Sequence, residues 1–303
     1  RSIVVSNAAI TTVPSFRNGN GLVYRTGDAY VSRVRLDSDG LRFEAERLLT
    51  GATGLLGTDI LRVATATYPA GTVFAAAGGS PTTVDGSSVV PSAQARPQVL
   101  AYDPATGERL PAIPLWAGSE VARRYNALEQ PNGLAVGVNG DLYVSDIPNT
   151  NPAGMLPPPV PAAIYRIPHE ALDALAAGEP GAAESVQRIE MPGWVNGLTV
   201  SPVDGAVWAV SCSPQCPVGG GAYRLLPEHF AAGELPEPRF RDLGGAGGLL
   251  DGIGIPRRGT LLASDPVTPR IHVLRPDGAH DLLMFEGAEK LGSPADINVC
   301  YPE

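Results

Sequence analysis

The chain has 303 residues, a formal net charge of -9 and a pI near 5.0, with 36 glycines and 30 prolines. The acidic balance argues against a nucleic-acid partner, which would need a basic face. No apolar run is long enough to predict a transmembrane helix. Because turn-forming residues are so frequent, there is a turn for every strand and little room for long helices. We therefore expect one all-β domain over residues 1–303.

A unit of two apolar strands joined by a tight turn recurs along the chain. Its copies lie at residues 20–33, 57–79, 130–146, 195–211 and 250–265, with a partial copy at 294–300. The clearest copy, 130–146, reads QPNGLAVGVNGDLYVSD: an Asn132-Gly133 tip, an apolar run, an Asn139-Gly140 turn and a second run. Alternating runs joined by Asn-Gly are a strong hairpin signal. A repeat built of strand pairs predicts a β-propeller.

Each repeat predicts four strands, A to D, from the axis outward. Strand A follows the Asn or Asp tip, strand B is the next run, and C and D form a second hairpin. The predicted C-D pairs lie at residues 98–116, 164–191, 223–243 and 271–285. Turns such as Asp-Pro-Ala-Thr-Gly and Arg-Pro-Asp-Gly carry the residues that tight hairpins need.

The two ends of the chain are expected to share one blade. Residues 294–300 resemble an A strand with no B strand after it, and residues 1–7, RSIVVSN, resemble the missing B strand. Such closure removes open sheet edges. We favour six blades, with tips at Asn20, Asp59, Asn132, Asn196, Asp251 and Asp296. The alternative is five blades, in which 21–28 is a loop excursion and 29–49 is the C-D hairpin of the shared blade.

The starts of the A strands should meet at one end of the central channel. Asn132, Asn196 and Asp251 each precede a Gly-apolar-x-apolar stretch, so we expect them to converge from successive blades. Amide and carboxylate oxygens without His or Cys suit a hard cation such as Ca²⁺. In the simpler interpretation, Asn-Gly and Asp-Gly only form turns, and the polar side chain caps its own backbone. The shared phase of three such residues favours the metal.

Further polar residues are expected near the same mouth, either at weaker tips or at the ends of B strands. These second-tier residues are Asn20, Asp59, Asp296, Asp146 and Asp265. Asp146 and Asp265 end B strands. In the simpler interpretation they cap the B-C loops, and in the alternative they contact the substrate. The loops 147–162 and 212–220 open onto this face as possible pocket walls. All four histidines fall in C-D regions, so none is placed as a general base.

Cys212 and Cys216 flank Ser-Pro-Gln in a loop rich in Gly and Pro. We expect a local disulfide in an exported protein, and two reduced thiols are the alternative. Without further Cys or a nearby His, this pair is a poor zinc site. The chain opens on Arg1 rather than Met, so either a leader has been removed or this start is artificial. We expect a secreted or periplasmic monomer.

The tip order Asn-Gly, Asn-Gly, Asp-Gly resembles the gluconolactonase, luciferin-regenerating enzyme and senescence-marker-protein family of six-bladed propellers. PNGLAV at 131–136 is similar to that family's blade motif, and LDGIGI at 250–255 to its Asp-Gly partner. The resemblance implies one divalent cation, usually calcium, held by Asn132, Asn196 and Asp251, with Asp251 also as general base. The family's remaining ligand, a Glu at the first tip, is missing here, so Asn20 or another polar group would have to substitute.

The function expected from these residues is metal-assisted hydrolysis of a small lactone or ester-like substrate. A cation polarises the ester oxygen and lowers the pKa of bound water, and a carboxylate on the rim takes the proton. A non-hydrolytic propeller that binds a small molecule or a protein is one alternative. Metal-free condensation or cyclisation, as in strictosidine synthase-like propellers, is another.

Overall fold

A computed structural model describes residues 2–7, 10–12, 22–25, 27–36, 43–78, 82–83, 89–90, 96–126, 128, 130–147, 161–201, 203–212, 220–243, 250–255, 259–265 and 270–283. Within these ranges 23 strands form six sheets, accompanied by three short α-helices and one 3-10 turn. None of these helices has the length and apolar character needed to span a membrane. The architecture is all-β.

In chain order the strands are β1 (Ser2–Asn7), β2 (Ile10–Thr12), β3 (Leu22–Arg25), β4 (Ala29–Leu36), β5 (Phe43–Ala52), β6 (Thr58–Ile60), β7 (Val73–Ala77), β8 (Thr82–Thr83), β9 (Val89–Val90), β10 (Gln98–Asp103), β11 (Glu108–Pro114), β12 (Pro131–Val136), β13 (Leu142–Asp146), β14 (Ala162–Ile167), β15 (Gln187–Met191), β16 (Trp194–Val200), β17 (Val207–Cys212), β18 (Gly220–Leu225), β19 (Phe240–Leu243), β20 (Ile253–Gly254), β21 (Leu261–Asp265), β22 (Arg270–Leu274) and β23 (His280–Leu282). The helices are α1 (Glu120–Tyr125), α2 (Leu172–Ala177) and α3 (Pro227–Ala232), and the 3-10 turn is His169–Ala171.

Five of the sheets are arranged as blades. We number them sheet 1 (β1-β4-β5), sheet 2 (β6-β7-β10-β11), sheet 3 (β12 to β15), sheet 4 (β16 to β19) and sheet 5 (β20 to β23). Their strands pair antiparallel in these orders. The innermost described strand of each sheet contacts that of the next: β1 packs on β6, β6 on β12, β12 on β16 and β16 on β20. This is a propeller-like arrangement, and the predicted C-D pairs at 98–116, 164–191, 223–243 and 271–285 are confirmed.

The amino-terminal part differs from the favoured six-tip layout. The hairpin expected at 20–33 would pair β3 with β4, but β4 pairs with β1 on one edge and β5 on the other. Because both edges of β4 have their backbone hydrogen bonds satisfied, no edge is left for β3. Strand β3 instead joins the small sheet, with the order β2-β3-β8-β9 and a parallel β3-β8 pair. Residues 29–49 therefore pair as the five-blade alternative expects. Residues 294–300 lie outside the described ranges.

Among the described residues, four pairs of neighbouring blades each enclose an apolar cluster. Between sheets 2 and 3, for example, Phe74, Ile113 and Val144 are completely buried. Comparable clusters lie between sheets 1 and 2, sheets 3 and 4, and sheets 4 and 5. Inner strands are covered on both faces, which is why all five residues of β13 are buried. Burying these faces is the main stabilising contribution to the arrangement.

Helix α2 ties sheet 3 to sheet 2. It lies in the connection between β14 and β15 and packs against β11. The Asp173 carboxylate accepts hydrogen bonds from Thr65 Oγ1 at 2.6 Å, Ala66 N at 3.0 Å and Thr67 N at 3.1 Å. Burial by itself would raise the pKa of Asp173, but these hydrogen bonds lower it below its usual value. The carboxylate thus stabilises the 65–68 loop of the preceding sheet.

Candidate functional site

Three of the predicted tip residues occupy the same register position in consecutive sheets. Leu134 pairs with Val144 in sheet 3, Leu198 with Ala209 in sheet 4 and Ile253 with Ala263 in sheet 5. The residues two places before these inner-strand positions are Asn132, Asn196 and Asp251. All three therefore lie at one level, at the same end of the channel.

The first two tips contact each other through their side chains. Asn132 Nδ2 donates to Asn196 Oδ1 at 3.1 Å, and Asn196 Nδ2 donates to the carbonyl oxygen of Leu250 at 3.3 Å. Asn196 is 6% exposed, whereas Asn132 and Asp251 are partly exposed. A chain of amide hydrogen bonds therefore runs from sheet 3 to the residue just before Asp251, and it holds the Asn196 amide in one orientation.

The glycines of the tips are required by close approach of the inner strands. A Cβ on Gly57, Gly133 or Gly197 would lie less than 3.0 Å from the carbonyl oxygen of the tip in the next sheet. Those carbonyls belong respectively to Asn132, Asn196 and Asp251. Asn132-Gly133 and Asn196-Gly197 lie inside strands, so turn formation does not explain these two pairs. Glycine here allows one blade to pack directly on the backbone of the next.

Serines at the ends of the second strands connect the same backbones. Ser145 Oγ accepts from Gly133 N at 2.7 Å and donates to the Asn196 carbonyl oxygen at 3.1 Å. Ser264 Oγ accepts from Gly252 N at 2.8 Å. Both serines are completely buried. The sequence pointed to the aspartates of the repeated Ser-Asp ending, but Ser145 is the residue that links two neighbouring inner strands, and Ser264 bonds the tip glycine of its own sheet.

Asp146 and Asp265 lie at the ends of β13 and β21 and are both buried. Asp146 Oδ1 accepts from the backbone N–H of Gln130 at 2.8 Å, which is a capping contact. Asp265 is completely buried, and its Oδ2 lies 4.0 Å from Nε2 of His272. Both side chains therefore lie behind the mouth surface rather than on it.

Asp59 does not lie at the level of the three tips. Thr58 pairs with Ala75, so Leu56 is the residue of sheet 2 that lies level with Asn132. The Asp59 carboxylate accepts from Ile60 N at 2.7 Å and from Val136 N at 2.8 Å, at the far end of β12. Burial raises the pKa of Asp59, and these two hydrogen bonds and the charge of Arg62 partly offset the rise. The glycine that packs on the backbone of the next blade sets the register of each inner strand. In sheet 2 this glycine is Gly57, and Asp59 lies two residues after it instead of directly before it.

The remaining predicted residues lie wholly or partly outside the described ranges. Neither Asn20 nor Asp296 is described, and the same holds for Cys216 and Cys300. Cys212 ends β17. The disulfide between Cys212 and Cys216 therefore stays a prediction, as does any role of Asn20 as a substitute metal ligand.

The chemistry of the donor set fits a hard cation with few protein ligands. Asn132 and Asn196 offer amide oxygens and Asp251 offers a carboxylate, all oxygen donors of the kind that Ca²⁺ takes. In the described ranges no three His, Cys, Asp or Glu side chains are grouped so that they could hold a metal. A cation here would therefore depend on the two amides beside one carboxylate, with water completing a coordination number of about six to eight.

No family model and no curated protein matches the chain in sequence. Several solved structures match, but their sequence identities are so low that the matches show only the fold. A chain of a nidogen–laminin complex is 14% identical, with a TM-score of 0.56, over 89% of this chain and 79% of that chain. A gluconolactonase from Xanthomonas campestris is 16% identical, with a TM-score of 0.48, over 90% and 77%. A virginiamycin B lyase from Staphylococcus aureus is 13% identical, with a TM-score of 0.45, over 94% and 75%. The nidogen–laminin match, with a TM-score above 0.5, agrees with the propeller-like arrangement of the sheets described above.

Proposed function

We propose that the protein is a hydrolase of a small lactone or ester-like substrate, assisted by a divalent cation, with calcium as the first candidate. The observation that carries the proposal is the hydrogen bond between the amides of Asn132 and Asn196, at one register level with Asp251. Three oxygen-bearing side chains from consecutive blades are thereby collected at one mouth of the channel.

The three residues have distinct roles in this proposal. The Asn132 and Asn196 amides and the Asp251 carboxylate would hold the cation, which when bound polarises the substrate carbonyl and lowers the pKa of water. The partly exposed Asp251 carboxylate accepts a proton from the attacking water as its oxygen bonds to the carbonyl carbon. When the ring C–O bond breaks, the proton passes to the leaving alkoxide oxygen, and the product is a hydroxy acid.

The Asn196 amide is positioned before any ligand arrives. Both of its side-chain polar atoms have protein partners, and the group is almost completely buried. Reorienting it would break hydrogen bonds in a buried setting, at a cost of about 1–3 kcal/mol. Within the described ranges, the side-chain hydrogen bond that holds the Asn132 amide is the one to Asn196. Removing the Asn196 side chain should therefore also release Asn132.

The test is the calcium content of the dialysed protein, compared with the same measurement on Asn132→Ala, Asn196→Ala and Asp251→Ala. We expect about one ion per chain, as one three-residue donor set predicts. Each of the three variants should lose the ion, and Asp251→Ala should abolish lactone turnover. Asp59→Asn is the matched control, because its carboxylate lies at the other end of the inner strand and should not matter for the ion. Folded variants that keep the ion and the turnover would contradict the proposal.

One observation favours a second candidate, a propeller that binds a small molecule without a metal. Sheet 2 places Leu56, which has no oxygen donor in its side chain, level with the three polar tips. Absence of calcium from wild-type protein that still binds a ligand would support this candidate over the first.

For the fold, we infer five blades. The support is the pairing of β4 with β1 and β5, which makes sheet 1 a blade that lacks only its innermost strand. Residues 294–300 would supply that strand next to β1. Deleting these residues should then lower the free energy of unfolding, because an inner strand of a closed ring would be lost.

A further inference from the structure

We propose that the ligand of this mouth is amphipathic, with its carbonyl end at Asn132, Asn196 and Asp251 and a hydrocarbon end against Leu56 of sheet 2. The inference rests on the proposed function for the reacting group. It adds the chemical class of the rest of the substrate, an alkyl-substituted lactone or ester rather than a polyhydroxylated one.

The proposal rests on a change from polar to apolar residues at equivalent register positions of neighbouring sheets. At the mouth end of sheet 3 the tip residue and the last two residues of the second strand are polar, namely Asn132, Ser145 and Asp146. In sheet 2 Thr58 pairs with Ala75, as Leu134 pairs with Val144 in sheet 3. The same three positions of sheet 2 are therefore apolar, namely Leu56, Ala76 and Ala77.

The apolar sector is confined to sheet 2 among the sheets whose inner strands are described. Sheet 5 is polar at all three positions, with Asp251, Ser264 and Asp265. Sheet 4 is polar at two of them, with Asn196 and Ser211, and apolar at Val210. The mouth is thus divided into a polar arc of three blades and an apolar part beside it.

Leu56 is the side chain that this apolar part presents. Ala76 and Ala77 are buried, whereas Leu56 is partly exposed. Its backbone is held from both sides: Leu56 N donates to the Ala76 carbonyl at 3.0 Å, and its own carbonyl accepts from Ser6 Oγ. The next residue, Gly57, donates its N–H to the Asn132 carbonyl at 2.7 Å. Leu56 is therefore the immediate neighbour of the polar arc.

The two connections that carry the small sheet leave the blades at the mouth end. Asn7 pairs with Tyr30 and Ala77 pairs with Gln98, so the connections β1 to β4 and β7 to β10 both leave at the mouth end. These connections contribute β2, β3, β8 and β9. Both sheets whose backbones bond Leu56, sheet 1 and sheet 2, therefore continue into this small sheet from the mouth end. A hydrocarbon group placed against the partly exposed Leu56 side chain would be removed from water, which favours binding.

The first measurement is the affinity for a series of alkyl γ-lactams of increasing chain length, which are not hydrolysed, by titration calorimetry in the presence of calcium. The second is the turnover of the matching γ-lactones. Each added methylene should raise lactam affinity and lactone kcat/KM by about two- to fourfold, since a buried CH₂ contributes about 0.8 kcal/mol. Leu56→Asn should remove this dependence on chain length, and Leu56→Ala should weaken it. Ile60→Asn, at the exposed far end of the same strand, should leave it unchanged.

The outcomes separate this inference from the proposed function. Lactam affinity that rises with chain length, without any lactone turnover, would support the amphipathic site and contradict hydrolysis. Turnover that does not depend on chain length would support hydrolysis and overturn the amphipathic site. A dependence that survives in Leu56→Asn, or lactams that do not bind at all, would overturn it as well.

Discussion

Gly133→Ala tests whether the tip glycines are required by the contact between blades. The added Cβ would lie less than 3.0 Å from the Asn196 carbonyl oxygen, about 3.0 Å from Ser145 Oγ and 3.1 Å from Leu198 Cγ. The first of these atoms belongs to the backbone of β16, which is paired with β17 and cannot rotate away as a flexible side chain would. The two inner strands must therefore move apart, or the hydrogen bonds of Ser145 must break.

Two contributions set the magnitude of the expected loss. Overpacking a close-packed interior costs about 1–3 kcal/mol. Disturbing the bonds of the buried Ser145 hydroxyl to Gly133 N and Asn196 O adds about 1–3 kcal/mol. Alanine is a better strand residue than glycine, which returns about 0.5–1 kcal/mol. We therefore expect the free energy of unfolding to fall by about 1–5 kcal/mol, with the middle of that range at about 3 kcal/mol.

Urea denaturation followed by circular dichroism measures this difference, with Gly178→Ala as the control. Gly178 has a φ of 69° at the end of α2, and a Cβ there would meet no atom within 4 Å. This control should lose only about 1–2 kcal/mol, the cost of a left-handed conformation in a residue with a side chain. Gly197→Ala should resemble Gly133→Ala, since its Cβ would meet the Asp251 carbonyl. A Gly133→Ala loss no larger than that of the control would refute the reasoning.

Two further predictions concern side chains away from the mouth. Asp173→Ala should lower the free energy of unfolding by about 1–3 kcal/mol at neutral pH, and the difference should shrink as the pH falls below 3.8, because the lowered pKa of Asp173 stabilises the fold only while the group is ionised. The pKa of His272 is lowered by burial and by the neighbouring His280 and Arg270, and Asp265 partly offsets this effect. As the pH falls below 6.5, the imidazole of residue 272 is therefore protonated in the unfolded chain before it is protonated in the folded protein. Between about pH 7.5 and about pH 5.5, the free energy of unfolding should therefore decrease more for the wild type than for His272→Gln. Urea midpoints measure both decreases, and equal decreases would contradict a lowered pKa of His272.

Local sequence signals predicted the C-D hairpins correctly, whereas the hairpin expected at 20–33 does not form. The C-D pairs depend on alternating apolar residues and on turn residues only a few positions apart, and the structure pairs β10 with β11 and β22 with β23 as expected. The Asn139-Gly140 turn likewise joins β12 to β13. Information of this kind acts over a few residues, so it can be read without knowing the rest of the fold.

The site was only partly accessible to the same reasoning. The shared phase of Asn132, Asn196 and Asp251 follows from the repeat, and the structure places them at one register level. Asp59 was assigned the wrong phase, because its glycine precedes it where the other tips have glycine after the polar residue. The sequence does not indicate whether the glycine must come before or after the polar residue, because that order is set by the contact between inner strands.

The sequence by itself determined an all-β, propeller-like chain, its outer hairpins and a polar set of tips, since each follows from short-range periodicity and turn chemistry. Only the tertiary structure decided that β4 pairs with β1 rather than β3, that Leu56 takes the sheet 2 position beside the polar arc, and that the tip glycines serve the contact between blades. These features depend on which distant backbones satisfy each other's hydrogen bonds and how closely they approach, and both are set by long-range packing.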